Sequence, residues 1–354
     1  MAKVRWREQM LRLAAVLMGL ALLAWLLSRT DVHILAKQAK AVGWGLVLVI
    51  VLGGVSHVIK TWAWRLTFLC DLRNVSFRRT FGLRLMSEGM GKLGIAGLVL
   101  GESTRVFLLG SSVPVSDSVS SVTLDRGLYA VTSALVSVAG ILSALVLVSL
   151  SETWRMYALL LASLLLLLLV ASVVAMQRRW PVLSACTRFI GRLPWLRGWL
   201  SSKRSVVSSA ENKLLQFCHD APARFWGSVS LNLACHGLAI LEVYLLLHFM
   251  GVRVSLAEAF VVEALTKLIN AVGAVIPGNI GTYEGGNMIL AKLIGIGSAT
   301  GLTLSLCRRV RSLFWSTIGA FCLIPMLMSN RREPRVSSDF EETLCPQSLS
   351  SALM

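Results

Sequence analysis

Residues 256–296 read LAEAFVVEALTKLINAVGAVIPGNIGTYEGGNMILAKLIGI. The stretch is apolar enough to enter a bilayer, yet it cannot be one helix. Pro277 withdraws a backbone donor and clashes with the preceding turn. Gly278, Gly281, Gly285 and Gly286 lower helix propensity further. The same stretch carries Glu258, Glu263, Lys267, Glu284 and Lys292. Broken backbone at membrane depth is tolerated only where protein or a water-filled cavity covers it. The segment therefore reads as two half-helices forming a re-entrant hairpin, with a helix start after Gly285 offering N–H groups to an anion.

A second stretch has the same character. Residues 81–109, FGLRLMSEGMGKLGIAGLVLGESTRVFLL, hold Glu88, Lys92, Glu102 and Arg105 among six glycines. Glu88 and Lys92 are spaced to pair on one helical face, as are Glu102 and Arg105. An ionisable side chain at the bilayer centre costs about 2.5–3.5 kcal/mol on insertion scales, so such groups pair or line a polar path.

The rest of the chain supplies the spans. Of 354 residues, 55% are hydrophobic and 15% charged, and mean hydropathy is +0.71. Soluble domains carry about 25% charged residues. An ordinary soluble enzyme is excluded, because the apolar runs are as long as a bilayer is thick. Full spans are expected at 10–28, 44–60, 117–150, 157–176, 225–250 and 302–328, with tryptophans such as Trp44, Trp62, Trp154 and Trp226 near their ends. The fold class is an all-α polytopic membrane protein of about six full spans and two re-entrant hairpins. The hairpins enter from opposite faces, one in each half, which points to an inverted repeat with a substrate site between the half-helix tips.

The net charge of +17 is a topology signal. Segments 1–12, 60–84 and 177–224 carry +3, +5 and +7, or +15 together. Under the positive-inside rule these are cytoplasmic, and both termini lie inside. This places a multi-pass protein in a bacterial cytoplasmic (inner) membrane. Residues 1–328 form one transmembrane domain. Residues 178–222 form a basic amphipathic loop lying on an anionic leaflet, and 329–354 a disordered cytoplasmic tail.

Seven cysteines show no zinc or CxxC spacing, and no catalytic signature occurs. His57, His236, His248 and Glu242 read as packing residues. No cofactor or metal is expected, and no nucleic-acid partner.

PGNIGTYEGG at 277–286 resembles the Pro-Gly-Gly-x-Gly-x-x-Glu signature of the lysylphosphatidylglycerol synthase transmembrane (flippase-like) family, and LGESTR at 100–105 is similar to its Gly-Glu-x-x-Arg motif. Asp125-Arg126, the Arg308-Arg309 region and Trp64-Arg65 also fall where that family has matching features. The first motif departs from the pattern, with Leu98-Val99-Leu100 where the family carries a Pro. The resemblance implies the flippase-like membrane part alone, without the soluble aminoacyl-transfer domain. The expected function is movement of a polar lipid headgroup between leaflets. Arg105, Arg126 and Arg308 would engage a phosphate, Glu102 and Glu284 would order those arginines or take an amine or proton, and Asp125 and Arg309 belong to the same candidate site. Pro277, Gly278 and Gly281 would form the break that faces the lipid. The partners are membrane lipids with an anionic headgroup, and a lipid-modifying enzyme. The alternatives are a membrane-embedded transferase acting on a lipid-linked substrate and a non-catalytic partner of such an enzyme.

Overall fold

The computed structural model describes residues 32–70, 75–91, 95–110, 112–148, 151–181, 204–274 and 276–330, with shorter pieces at 22, 24–26, 28, 30, 72 and 184–185. The span expected at 10–28, the tail after 330 and most of 182–203 lie outside the described residues. Every regular element among those described is helical. In chain order they are α1 (Val32–Val42), α2 (Gly45–Leu66), α3 (Phe77–Gly91), α4 (Ile95–Leu109), α5 (Val115–Leu147) and α6 (Glu152–Gln177). The second half adds α7 (Arg204–Asp220), α8 (Pro222–Phe249), α9 (Leu256–Gly273), α10 (Thr282–Leu293) and α11 (Ser298–Asn330).

Four of these, α2, α5, α6 and α8, are long and apolar enough to cross a membrane. The last expected span lies inside the longer α11, whose first half carries Arg308, Arg309 and Arg311. α6 buries only Ala162 among its 26 residues, and its leucines point outward. A helix that is apolar all round and unburied suits a hydrocarbon solvent.

Local chemistry sets the boundaries. Ser255 caps α9, its hydroxyl accepting the Glu258 N–H at 3.2 Å while the Glu258 carboxylate accepts the Ser255 N–H at 2.6 Å. Between α9 and α10 the chain runs through a single 3-10 turn, Pro277–Asn279. Gly278, Asn279 and Gly281 take positive φ there, at 68°, 50° and 80°. Gly281 sits where a side chain would be strained, and α10 starts directly after it, four residues earlier than the expected start after Gly285.

Two ends can be recognised. At one, Arg224 donates to the Phe68 carbonyl at 2.8 Å, Arg79 to the Leu108 carbonyl at 2.9 Å, and Lys213 to Asp117 at 2.8 Å. The basic segments around 60–84 and 204–224 thus meet at one end, over an apolar core that includes Trp64, Phe68, Leu83, Leu109 and Val122. At the other, Gln38 of α1 donates to Thr300 at 2.9 Å, and Val42, Val49, Leu246, Met250 and Leu290 form a second core. α3 and α4 form a broken pair with both outer ends at the basic end. α9 and α10 form a second pair that begins and ends at the opposite one.

The two halves interleave. α2 packs along α8, where Ser228 donates to the Ala63 carbonyl at 3.1 Å. α5 crosses α9, and α11 crosses α3. Both crossings are made at glycine. A Cβ on Gly140 would lie 2.1 Å from the Cβ of Ala264, and one on Gly319 would lie 2.6 Å from the Leu85 backbone. Gly140→Leu is expected to destabilise the protein by roughly 1–3 kcal/mol or more, read as a lowered melting temperature in detergent. Gly237→Leu, where nothing lies within 4 Å, should leave it unchanged. Equal melting of the two variants would refute this packing.

Candidate functional site

Between the two cores lies a belt of charge. In the first half Asp125 is its centre. Arg84 of α3 donates to both carboxylate oxygens at 3.0 and 3.1 Å, and Arg105 of α4 donates to one of them at 3.2 Å. Arg105 is fully buried, bonds Glu102 at 2.8 Å, and its guanidinium carbon stands 3.8 Å from the Trp64 ring centroid. Glu102 also accepts from Ser87 at 2.8 Å and from the Arg126 Nε at 2.7 Å. Asp125 and Arg126, adjacent on α5, reach different partners because consecutive helical residues diverge by about 100°.

The second half repeats the design. Arg308 of α11 pairs with Glu263 of α9 at 2.7 Å and lies 3.4 Å from Glu242 of α8. Lys267 holds the other oxygen of Glu263 at 2.8 Å. Arg309 turns the other way and pairs with Glu284, which is fully buried and also accepts the Gly281 N–H at 2.8 Å. Arg309 donates in addition to the carbonyls of Gly278 and Asn279 at 3.0 and 3.2 Å. Arg311 pairs with Glu242.

All ten residues expected from the sequence lie in or beside these clusters, and the structure sorts them. Arg105, Asp125 and Glu284 are interior. Arg126 and Arg309 keep a third and a quarter of their side chains exposed (34% and 27%). Pro277, Gly278 and Gly281 form the break against which Arg309 rests.

Several participants were not singled out by sequence. Glu242, expected to be a packing residue, is an ion-pair partner of two arginines. Glu88 contacts His57 at 3.2 Å and Lys60 at 3.6 Å across the α2–α3 interface. Its expected partner Lys92 lies outside the described residues. Arg84 and Glu263 are the interior counter-ions of Asp125 and Arg308. They share a rank that shows once the helix starts are known, each being the eighth residue of the helix that opens its broken pair.

A cavity of about 560 Å³ opens where the two breaks converge. Leu98 and Gly91 reach it from the first break, Asn279 and Tyr283 from the second, and Arg308 and Arg309 from α11. Arg308 is nine-tenths buried, and its Nη1 has no hydrogen-bond acceptor among the described residues. An orphaned buried donor in a cavity wall is costly unless a ligand or water accepts from it. The volume lies within the range of ligand sites, about 300–1,000 Å³. Among the described residues no group of His, Cys, Asp or Glu could hold a metal ion.

A family model described as the lysylphosphatidylglycerol synthase TM region matches residues 10–319. The chain belongs to this family. It is therefore a multi-pass integral membrane protein, related to lipid modification or flipping. The two family-like motifs carry Glu102 and Glu284, the two carboxylates that hold the partly exposed arginines. No curated protein and no solved structure matches the chain.

Proposed function

We propose that the protein is a lipid flippase that carries a polar phospholipid headgroup across the bilayer while the acyl chains stay in hydrocarbon. The observation that carries this reading is the cavity between the two breaks. It presents the arginine fork of Arg308 and Arg309, matched to phosphate, beside apolar Leu98, Ile280 and Leu313. A headgroup needs the first and its chains the second. In this reading the breaks lie at mid-membrane, within two re-entrant hairpins among six full spans. The basic end, with both termini, faces the cytoplasm. The halves form an inverted repeat, and rocking one against the other exposes the cavity to each leaflet in turn.

The test is reconstitution into liposomes with fluorescent phosphatidylglycerol, with dithionite quenching of the outer leaflet. Protein should make the inner-leaflet pool accessible faster than in empty liposomes. No acceleration with any of several headgroups would sink the reading. Chemical change of the lipid, read by mass spectrometry of the recovered pool, would favour the transferase alternative.

A further inference from the structure

The two charge clusters correspond position by position. α5 and α11 are each 33 residues long, and Asp125-Arg126 and Arg308-Arg309 are residues eleven and twelve of each. In both, residue eleven is interior and pairs with residue eight of the helix that opens the broken pair: Arg84 with Asp125, and Glu263 with Arg308. The signs are exchanged between the halves. In both, residue twelve is an arginine held by a motif glutamate, Glu102 lying 24 residues before Arg126 and Glu284 lying 25 before Arg309. The two crossings follow the same rule, because Leu85 and Ala264 are both residue nine. The interior pair has changed sign between the halves. The partly exposed arginine has not.

The net charge is also the same. Among the described residues, four cations (Lys60, Arg84, Arg105, Arg126) face three carboxylates (Glu88, Glu102, Asp125) in the first half. In the second, Lys267, Arg308, Arg309 and Arg311 face Glu242, Glu263 and Glu284. Each cluster has one uncompensated positive charge in a region where such a charge is expensive. A second, smaller cavity of about 50 Å³, lined by His57, Lys60 and Glu88, shares Arg311 and Ser312 with the large one. Lys60 of the first cluster and Arg311 of the second thus line the same small cavity.

We propose that the protein has two anion stations of one design, Arg309 held by Glu284 and Arg126 held by Glu102, each complementary to a phosphodiester headgroup of a single negative charge. The headgroup passes from one to the other past Arg311. This rests on the flippase reading and specifies its substrate as singly anionic lipid. Arg105, which stacks on Trp64 and is fully buried, positions the first station from behind, and Arg308, tied to Glu263 with its Nη1 unpaired among the described residues, flanks the second at the cavity wall.

The test counts bound lipid, so it does not depend on transport. Purified protein in detergent is titrated with dihexanoyl-phosphatidylglycerol and examined by native mass spectrometry. Wild type should bind two equivalents, Arg126→Gln one, Arg309→Gln one, and the double variant none. Arg126→Lys and Arg309→Lys should restore the second equivalent, which a merely structural arginine with a bidentate role would not allow. The single equivalent kept by Arg126→Gln also reports that the variant is folded. Dihexanoyl-phosphatidylcholine should bind roughly ten-fold more weakly, about 1.4 kcal/mol. One equivalent in wild type, lost with Arg309→Gln and untouched by Arg126→Gln, would overturn the second station. If such a protein still flips lipid, the flippase reading survives alone. Two equivalents indifferent to either variant would overturn both assignments. Displacement of both lipids by millimolar inorganic phosphate would reassign the stations to the free anion and overturn the lipid specificity.

Discussion

Asp125→Asn should prevent the protein from accumulating in folded form. Asp125 is 1% exposed and is the shared counter-ion of Arg84 and Arg105, themselves interior. Neutralising it leaves two guanidinium groups in the belt with only Glu102 nearby, and Glu102 is already shared with Arg126. Removing one partner of a buried pair costs about 3–5 kcal/mol, because the uncompensated charge stays behind. Folded proteins have only about 5–15 kcal/mol in hand. The expected result is a loss of monodisperse protein on size exclusion and a fall of many degrees in melting temperature. Asp125→Glu, which keeps the charge, should recover part of both. A variant Asp125→Asn that melts like wild type would show that the belt is not what holds α3, α4 and α5 together.

Glu284→Gln should have the opposite profile, a folded protein that does not transport. The amide oxygen still accepts the Gly281 N–H, so the start of α10 is kept. Arg309 still reaches the carbonyls of Gly278 and Asn279. What disappears is the charge that fixes Arg309 against the break and balances it when no lipid is present. The arginine then stays closed on the backbone carbonyls or holds its anion too long. Flipping in liposomes should fall by roughly two orders of magnitude, about 2.7 kcal/mol in the barrier, with yield and melting temperature near wild type. Wild-type transport by a well-folded Glu284→Gln protein would move the functional centre away from the second break.

The sequence located the second break, because Pro277 and the glycines beside it act on the backbone directly and leave a local mark; the first falls at 92–94, outside the described residues, and Gly97 and Gly101 lie within α4. It also marked Glu102, Arg105, Asp125, Arg126, Glu284, Arg308 and Arg309, since charge in an apolar run is conspicuous. Hydropathy delimited α2, α5, α6 and α8 to within a few residues at most ends. What it could not give was pairing. Helical spacing nominates partners three or four residues away, and it correctly joined Glu102 to Arg105. It also nominated Lys92 for Glu88; Lys92 lies outside the described residues, and the contacts of Glu88 among those described, His57 and Lys60, come from another helix. Glu242 looked like an isolated polar residue in a span because its partners, Arg308 and Arg311, arrive from α11. Such contacts are set by which helices cross, and the crossings are set by Gly140 and Gly319, whose meaning depends on the surface opposite. Arg84 and Glu263 were visible as charges, but their common rank in α3 and α9 appears only once the helix starts are known.

The interleaving of the halves has a consequence for biosynthesis. α3 leaves the ribosome early, yet the helix that closes on it at Leu85 is α11, the last described element of the chain. α5 likewise waits for α9. During translation the first broken pair, with Arg84 and Glu88, must sit in or beside the membrane with one flank bare for more than two hundred residues of synthesis. Truncation anywhere before α11 strands the first half unassembled, where quality-control proteases can find it.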